Sequence, residues 1–389
     1  MRLLGRLLSF ASFAAVILAV SPADAQQTIK IGLILPYSGQ FADPGAQADN
    51  GIKLYMQQHG DTVAGRKIEI VRRDTGGIAP DVAKRLAQEL VVRDKVDLLA
   101  GFSLTPNALA AADVSAHVVM NAAASIVTTK SPYMARVSFT LPQLNEPLGV
   151  WAYKNGVRKV YSIVADFAAG HDAETAFQSA FKAAGGEIIG SVRYPVVNPD
   201  FSAFVQRAKD MNPEAIFVFV PGGSQSPAIA KALADRGIDP RRTKVMAQAE
   251  LTDEQALKNM GDTALGIITS AHYDYNHDSK LNKEFVGAFN AAFKRNPDFF
   301  AVGGYDGMHL IYESLKKSAA NTDGEALIAA AKGMAWESPR GPMLIDPATR
   351  DVVQTVYMRR VEKVGSQLVN VEFDKIENVK DPVKARSTN

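Results

Sequence analysis

The chain has 389 residues, a formal net charge of +2 and no cysteine. A nearly neutral chain offers no electrostatic reason to bind nucleic acid, so we expect no nucleic-acid partner. The lack of cysteine excludes disulfides, thiolate metal sites, a cysteine nucleophile and a lipid anchor of the kind attached to cysteine.

The first 25 residues have the composition of a secretory signal peptide. Arg2 and Arg6 give a basic start, Leu7 to Val20 is an apolar run, and Ala23 to Ala25 forms a small-residue cleavage site. Cleavage there leaves 364 residues and removes two arginines and one aspartate, which lowers the net charge to +1. We expect a free periplasmic protein with two domains and no membrane insertion.

The first half of the remaining chain alternates strands with helices. Predicted strands are Thr28 to Pro36, Lys67 to Arg73 and Val96 to Ala100, and predicted helices run from the turn at Pro44 to about Gln58 and from Pro80 to Lys95. Such βα alternation predicts a parallel, doubly wound sheet.

Two turns that carry hydroxyl groups follow neighbouring strands in this half. Ser103 and Thr105 come before a proline, which predicts a helix start capped by a hydroxyl group. Ala123 and Ser125 lie in the second turn. Helix starts bind anions through free backbone amides, so the two turns form a candidate carboxylate site. Ordinary strand–helix connections have the same composition, and that alternative stays open.

A second alternation begins after Thr140 and ends near residue 271. Three helical segments then run from Ser279 to about Met334, and a strand-rich tail follows from Pro342. No flexible linker separates the two halves, so we expect an α/β fold of two doubly wound parallel-sheet lobes, connected by several crossings, with a ligand cleft between them. Lobe 1 is predicted to comprise residues 26–141 and 273–341, and lobe 2 residues 142–272 and 342–389.

Enzyme motifs are missing from the sequence. It has neither a dinucleotide-binding glycine pattern nor a phosphate-binding loop, and Gly222 to Ser226 lacks the closing glycine of a nucleophile elbow. His272 and His277, five residues apart, do not share a helical face, so a solvated loop is favoured there over a metal site. We expect no catalytic residue, no cofactor and no metal.

Several other residues lie where an open α/β sheet binds its ligands, after the ends of strands. Phe167 ends a strand of lobe 2 and either stacks on a ligand or belongs to the core. Glu250 either pairs with a cation of the ligand or of lobe 1, or is solvated. Gly223 lies in a turn of the same lobe, and Phe41 is a lid over the cleft or a surface aromatic residue.

Six segments give the chain its resemblance to a known family. They are IKIGLILPYSGQFADPGAQADNGIKL, LLAGFSLTPNALA, VVMNAAAS, VADFAAGHDAE, AQAELTDE and AVGGYDGMHLIYESL. The chain resembles the periplasmic solute-binding proteins of the branched-chain amino-acid type, which supply ABC importers. The resemblance covers essentially the whole mature chain. It implies two lobes of the type I periplasmic binding protein fold, three crossings, closure over a ligand, and an inner-membrane ABC permease as partner. We expect a monomer.

The resemblance also implies roles for individual residues. Thr105, Ala123 and Ser125 would contact the ligand carboxylate, Phe167 would supply an aromatic wall, and Glu250 would meet the ammonium group of an amino acid.

Departures from the family pattern leave the ligand open. Pro44 and Phe167 stand where amino-acid binders often have tyrosine, which makes the pocket more apolar. The segments AAASIVTTKSPYMARVSFTLPQ and SPRGPMLIDPATRDVVQTVYMRRVEK resemble a subgroup whose ligands include aromatic carboxylates. An aromatic acid and a hydrophobic amino acid both remain candidates. The alternative functions are a sensory input protein for a membrane receptor and a periplasmic hydrolase.

Overall fold

Two separate sheets organise the chain, which we describe from a computed structural model over residues 28–387. The predicted signal peptide therefore lies outside the described residues. One sheet has six strands and the other nine, and helices flank both. The prediction of two α/β lobes is confirmed. Among residues 28–387, no helix is long and apolar enough to span a bilayer.

The six-stranded sheet forms lobe 1 and has the strand order β2-β3-β1-β4-β5-β6, in which only β2 runs antiparallel. Its central strands are apolar and buried, as expected for a sheet covered on both faces. The strands are β1 (Ile29–Leu35), β2 (Thr62–Val63), β3 (Arg66–Asp74), β4 (Leu98–Gly101), β5 (His117–Val119) and β6 (Met134–Arg136). The helices between them are α1 (Ala42–His59), α2 (Pro80–Val92) and α3 (Thr105–Ala111).

Lobe 2 begins with five parallel strands and their helices. In chain order these are α4 (Leu141–Lys154), β7 (Lys159–Ala165), α5 (Ala168–Ala183), β8 (Glu187–Tyr194), α6 (Ser202–Asp210), β9 (Ala215–Phe219), α7 (Gln225–Asp235), β10 (Lys244–Gln248), α8 (Glu254–Met260) and β11 (Ile268–Ala271). Helix α5 begins at Ala168, directly after Phe167. Its first turn has no side-chain cap that would have indicated the start.

The chain then returns to lobe 1 and back. Helices α9 (Lys280–Phe293), α10 (Phe299–Lys317) and α11 (Gly324–Ala331) precede β12 (Ala335–Ser338), β13 (Gly341–Ile345), β14 (Val352–Val364), β15 (Gln367–Val379) and α12 (Pro382–Ser387). The four late strands pair antiparallel with one another, and β14 also pairs with β11. The second sheet is therefore mixed, because the antiparallel strands of the predicted strand-rich tail extend its parallel part.

Both sheets reverse their strand order beside their first strand. In lobe 1, β1 lies between β3 and β4, and in lobe 2, β7 lies between β8 and β9. Helices leave to opposite sides at such a point, which opens a crevice at the carboxyl ends of the strands. The fold therefore provides one crevice per lobe.

A buried arginine holds the crossings between the lobes together. Arg340 lies between β12 and β13 and is 2% exposed. Its guanidinium donates to the carbonyl oxygens of Val137 and Ser138 in the crossing from β6 to α4, with 2.9 Å to Ser138. It also pairs with Asp306 of α10 at 2.9 Å. The Asp306 carboxylate accepts a further hydrogen bond from the Ser338 hydroxyl at 2.9 Å. One charged group thus connects two crossings to a helix of lobe 1.

Replacing Arg340 with methionine should lower the free energy of unfolding by about 3–5 kcal/mol, because Asp306 then stays buried without its cation. The double variant Arg340→Met, Asp306→Leu should recover most of this loss. Urea unfolding measures both. Lys231→Met is the control, since it breaks an exposed ion pair with Asp235 and should change stability by less than about 1 kcal/mol. If Arg340→Met were as stable as Lys231→Met, this result would contradict the role of Arg340.

Candidate functional site

The structure brings the eight predicted site residues to the carboxyl ends of the strands of both lobes. In lobe 1 they follow β1 (Phe41), β4 (Ser103 and Thr105) and β5 (Ala123 and Ser125), and in lobe 2 they follow β7 (Phe167), β9 (Gly223) and β10 (Glu250). Six are buried, and Phe167 and Gly223 are half-buried.

The lobes contact each other at this site. A Cβ atom on Gly223 would lie 2.3 Å from the carbonyl oxygen of Gln40 and 3.4 Å from the Phe41 ring. Gly223 has φ +64°, which a glycine adopts without strain. The turn of lobe 2 therefore packs directly on the turn of lobe 1, and any side chain at position 223 would push the two apart.

Phe300 and Gln40 also belong to the site, and the sequence interpretation missed both. A Cβ atom on Gly222 would lie 3.8 Å from the Phe300 ring and 3.8 Å from Cβ of Glu250. Phe300 lies in the first turn of α10, which Asp298 caps through hydrogen bonds to the amides of Phe300 and Ala301. That capping aspartate was the signal in the sequence that a helix starts there.

The turn after β4 has an unusual backbone. Gly101 and Phe102 both have positive φ, +101° and +59°, and a Cβ atom on Gly101 would lie 2.5 Å from the Ile34 carbonyl oxygen. Non-glycine residues in this conformation concentrate at functional sites. The Ser103 hydroxyl that follows is buried and has no hydrogen-bond partner in the described part of the chain. It can therefore donate a hydrogen bond to a ligand.

Thr105 does not cap its own helix, so that part of the prediction was wrong. The N-cap is Leu104, and the Thr105 hydroxyl instead accepts a hydrogen bond from the Ala124 amide at 3.2 Å. The two predicted turns are thereby connected. Because this bond uses a lone pair of Thr105, its hydroxyl hydrogen stays available for a ligand.

Ser125 is held by two carboxylates from other parts of the chain. Its amide donates to Asp172 of α5 at 2.7 Å, and its hydroxyl donates to Asp381 at 2.5 Å. A serine hydroxyl has one hydrogen, so Ser125 can only accept a further bond. The neighbouring Ala123 carbonyl accepts from the Leu141 amide at 2.9 Å.

Glu250 is a buried carboxyl group with unused hydrogen-bonding capacity. It is 4% exposed, and its Oε2 atom has no partner among residues 28–387. Burial, with a smaller contribution from Asp253, raises the pKa of Glu250 to about 8, and a backbone hydrogen bond and Arg359 oppose the shift. At neutral pH the group is therefore mainly a neutral acid. On the same lobe the Phe167 ring packs on the Phe219 ring, with centroids 5.9 Å apart.

The histidines between β11 and α9 do not form a metal site. His272 stacks on Phe139 with ring centroids 4.6 Å apart, whereas His277 pairs with Glu372 at 2.9 Å. Within the described ranges, no group of three or more possible ligands surrounds a metal position. The prediction of a solvated loop was wrong for His272, which is buried because its ring packs on Phe139 and Phe299.

Comparisons with known proteins place this arrangement in context. Residues 28–366 match the family described as periplasmic binding protein. The chain is 41% identical over 374 residues to a Leu/Ile/Val-binding protein homolog from Brucella melitensis, which covers 94% of this chain and 95% of that protein.

Two solved structures resemble the whole described chain. An ABC transporter solute-binding protein from Rhodopseudomonas palustris BisB5, in complex with 3,4-dihydroxybenzoic acid, is 51% identical with a TM-score of 0.89, covering 92% of this chain and 99% of that one. A second solute-binding protein from R. palustris, in complex with 4-hydroxybenzoate, is 39% identical with a TM-score of 0.90, covering 92% and 100%.

Replacing Glu250 with glutamine should change how stability depends on pH. The folded-state pKa of about 8 lies above the ordinary value of 4.5, so the natural protein loses stability from this group as pH rises through that interval. The variant has no titrating group at this position. Above pH 8 its free energy of unfolding should therefore exceed that of the natural protein by roughly a few kcal/mol. Urea unfolding at pH 4, 6 and 8.5 measures the difference. Parallel stability curves would contradict the burial of a titrating acid.

Proposed function

Because this chain belongs to the periplasmic binding protein family, we propose that it is the substrate-binding protein of an ABC importer. It captures a small carboxylate between its lobes and delivers it to an inner-membrane permease. The observation that carries the proposal is the unused hydrogen-bonding capacity of buried Ser103 and Glu250, which lie on opposite lobes of the contact.

Lobe 1 binds the carboxylate in this proposal. Ser103 and Thr105 each have a hydroxyl hydrogen to donate, and hydrogen bonds to charged groups are worth more than those between neutral groups. Ala123 lies beside them, and Ser125 supports the turn and offers an acceptor. The free backbone amides at the start of α3 supply further donors, so the carboxylate is bound without an arginine or lysine in this proposal.

Lobe 2 recognises the other end of the ligand. Its Phe167 ring provides an apolar wall, opposite the Phe41 and Phe300 rings of lobe 1, and Glu250 provides one polar contact. A neutral carboxyl group pairs well with the hydroxyl of an aromatic ring, whereas an ammonium group would require Glu250 to be ionised. We therefore place hydroxylated aromatic acids first among the ligands.

The similar proteins support placing hydroxylated aromatic acids before hydrophobic amino acids, without deciding between them. The two R. palustris structures are complexes with hydroxylated benzoates. The Brucella relative carries the name of a Leu/Ile/Val-binding homolog, and the free Glu250 oxygen keeps a hydrophobic amino acid as the second candidate.

In this proposal the protein works by closing its two lobes over the ligand. Closure excludes water, which strengthens each hydrogen bond to the ligand, and it creates a surface that a permease distinguishes from the open form. No covalent chemistry is part of the proposal. The composition of residues 1–25 supports export to the periplasm, and one copy of the chain provides all the groups named. A sensory protein would use the same trap with a membrane receptor as its partner.

A thermal-shift screen tests the proposed ligands. A ligand present at about one hundred times its Kd adds about 2.7 kcal/mol of stability. We expect 4-hydroxybenzoate and 3,4-dihydroxybenzoate to raise the Tm more than leucine does, and Ser103→Ala to reduce the shift. A larger shift with leucine would reverse the order of ligands, and no shift with any of them would refute the carboxylate site.

Adding a methyl group at Gly223 tests closure. Gly223→Ala should weaken binding of 4-hydroxybenzoate by roughly tenfold or more. The new Cβ would lie 2.3 Å from the Gln40 carbonyl oxygen and would keep the two lobes from closing fully. Gly237→Ala is the matched control, since Gly237 has a similar φ of +72° and its Cβ would meet nothing within 4 Å. Isothermal titration measures both affinities. Equal losses in the two variants would indicate backbone strain rather than blocked closure.

A further inference from the structure

Three buried polar side chains of lobe 2 each have an atom that the protein does not use. They are Gln248, Glu250 and Ser270, which are 0%, 4% and 0% exposed. The Oε1 atom of Gln248, the Oε2 atom of Glu250 and the Ser270 hydroxyl have no hydrogen-bond partner in the part of the chain that the structure describes. A buried polar group without a partner costs free energy, so each of the three needs a partner from outside the chain.

Gln248 and Ser270 lie side by side on one face of the second sheet. Gln248 is the last residue of β10 and is in register with Ser270 of β11. Residues in register on neighbouring strands point to the same face of a sheet. On the opposite face, Thr269 is in register with Arg359, which donates to the Thr269 hydroxyl at 3.1 and 3.2 Å. Thr269 is therefore satisfied within the protein, whereas Gln248 and Ser270 keep free atoms on the other face.

The hydrogens of the Gln248 amide determine how the amide is oriented. Its Nε2 atom donates to the carbonyl oxygen of Val220, directly after β9, at 3.4 Å. Burial raises the pKa of Glu250, and a hydrogen bond from the Gln248 side chain opposes this rise. Turning the amide over would place its oxygen against the Val220 oxygen. The Oε1 atom of Gln248 is therefore held as a free acceptor beside the Glu250 carboxyl group.

Glu250 places this pair of side chains at the crevice. The Ser226 hydroxyl donates to the carbonyl oxygen of Glu250 at 2.7 Å, which fixes the Glu250 backbone. A Cβ atom on Gly222, in the turn of lobe 2 that contacts lobe 1, would lie 3.8 Å from Cβ of Glu250 and 3.8 Å from the Phe300 ring. The Glu250 carboxyl group and the Gln248 amide thus lie beside one of the aromatic walls of the crevice.

Together the two side chains offer one donor and one acceptor. A neutral Glu250 carboxyl group has a single hydrogen to donate, and Oε1 of Gln248 accepts. Two adjacent hydroxyl groups on an aromatic ring match this pattern, because one can accept from Glu250 while the other donates to Gln248. A ring with one hydroxyl group leaves one of the two protein atoms without a partner, which lowers its affinity.

We propose that Gln248 is a specificity-determining residue which, together with Glu250, selects aromatic acids with two adjacent ring hydroxyl groups over acids with one. The inference rests on the proposed function, because lobe 1 must hold the carboxylate for the ring to reach these side chains. The competing occupant is a water molecule between Gln248 and Ser270. Such a water would make the affinity independent of the second ring hydroxyl group.

Isothermal titration of the parent protein with three acids tests the selected class. We expect 3,4-dihydroxybenzoate to bind about tenfold more tightly than 4-hydroxybenzoate. The matched control ligand is 3-fluoro-4-hydroxybenzoate, whose fluorine is close to a hydroxyl group in size but cannot donate a hydrogen bond. It should bind no more tightly than 4-hydroxybenzoate.

Two results with the parent protein would overturn the proposal. Equal affinities for 3,4-dihydroxybenzoate and 4-hydroxybenzoate would favour the water, and the carboxylate site would still stand. A fluorinated acid that binds as tightly as the dihydroxylated one would show that size rather than hydrogen bonding is selected. If none of the three acids binds, the proposed function fails and this inference fails with it.

A Gln248→Leu variant tests the residue itself. The ratio of the Kd of 4-hydroxybenzoate to that of 3,4-dihydroxybenzoate should fall from about ten to about one. Because the ratio is taken within one protein, a general loss of affinity cancels. Gln206→Leu is the matched control and should keep the ratio of the parent, since the Gln206 side chain donates to Asp210 on the exposed side of α6. Gln248→Met takes the place of Gln248→Leu if the latter does not fold. A ratio that stays at its parent value without Gln248 would overturn the proposal.

Discussion

The architecture depends on a buried guanidinium where the chain crosses between lobes. Arg340 is 2% exposed, so its donors need acceptors within the protein, and the structure supplies carbonyls of one crossing together with Asp306 of lobe 1. The guanidinium thereby joins the crossing from β6 to α4 with α10 of lobe 1 close to the contact between the lobes.

In the proposed function the two sides of the crevice have different tasks. Lobe 1 offers the hydroxyl groups of Ser103 and Thr105, and the bond from the Ala124 amide orients Thr105. Lobe 2 offers the Phe167 ring and the neutral acid Glu250. This division suits a protein in which one lobe binds the carboxylate that many ligands share. The other lobe then contacts the rest of the ligand.

The sequence was sufficient for the parts that depend on local pattern. Apolar runs and βα alternation predicted both sheets, and turn residues after strands predicted the eight candidates, since strand ends converge in any such fold. The long-range charge pairs could not be predicted. Ser125 and Asp381 are 256 positions apart, and charged side chains such as Arg340 and Lys384 are usually solvated, so only tertiary packing shows them buried. Thr105 failed as a cap for the same reason, because a neighbouring turn competed for its oxygen.

The central claim is that the crevice binds a carboxylate, and one comparison tests it most directly. Isothermal titration of 4-hydroxybenzoate and of 4-hydroxybenzyl alcohol uses two ligands with the same ring and ring hydroxyl, of which only the first has a carboxylate. We predict saturable one-to-one binding of the acid and binding of the alcohol at least about a hundredfold weaker, since two charge-assisted hydrogen bonds are lost. Equal affinities for the acid and the alcohol would contradict the account.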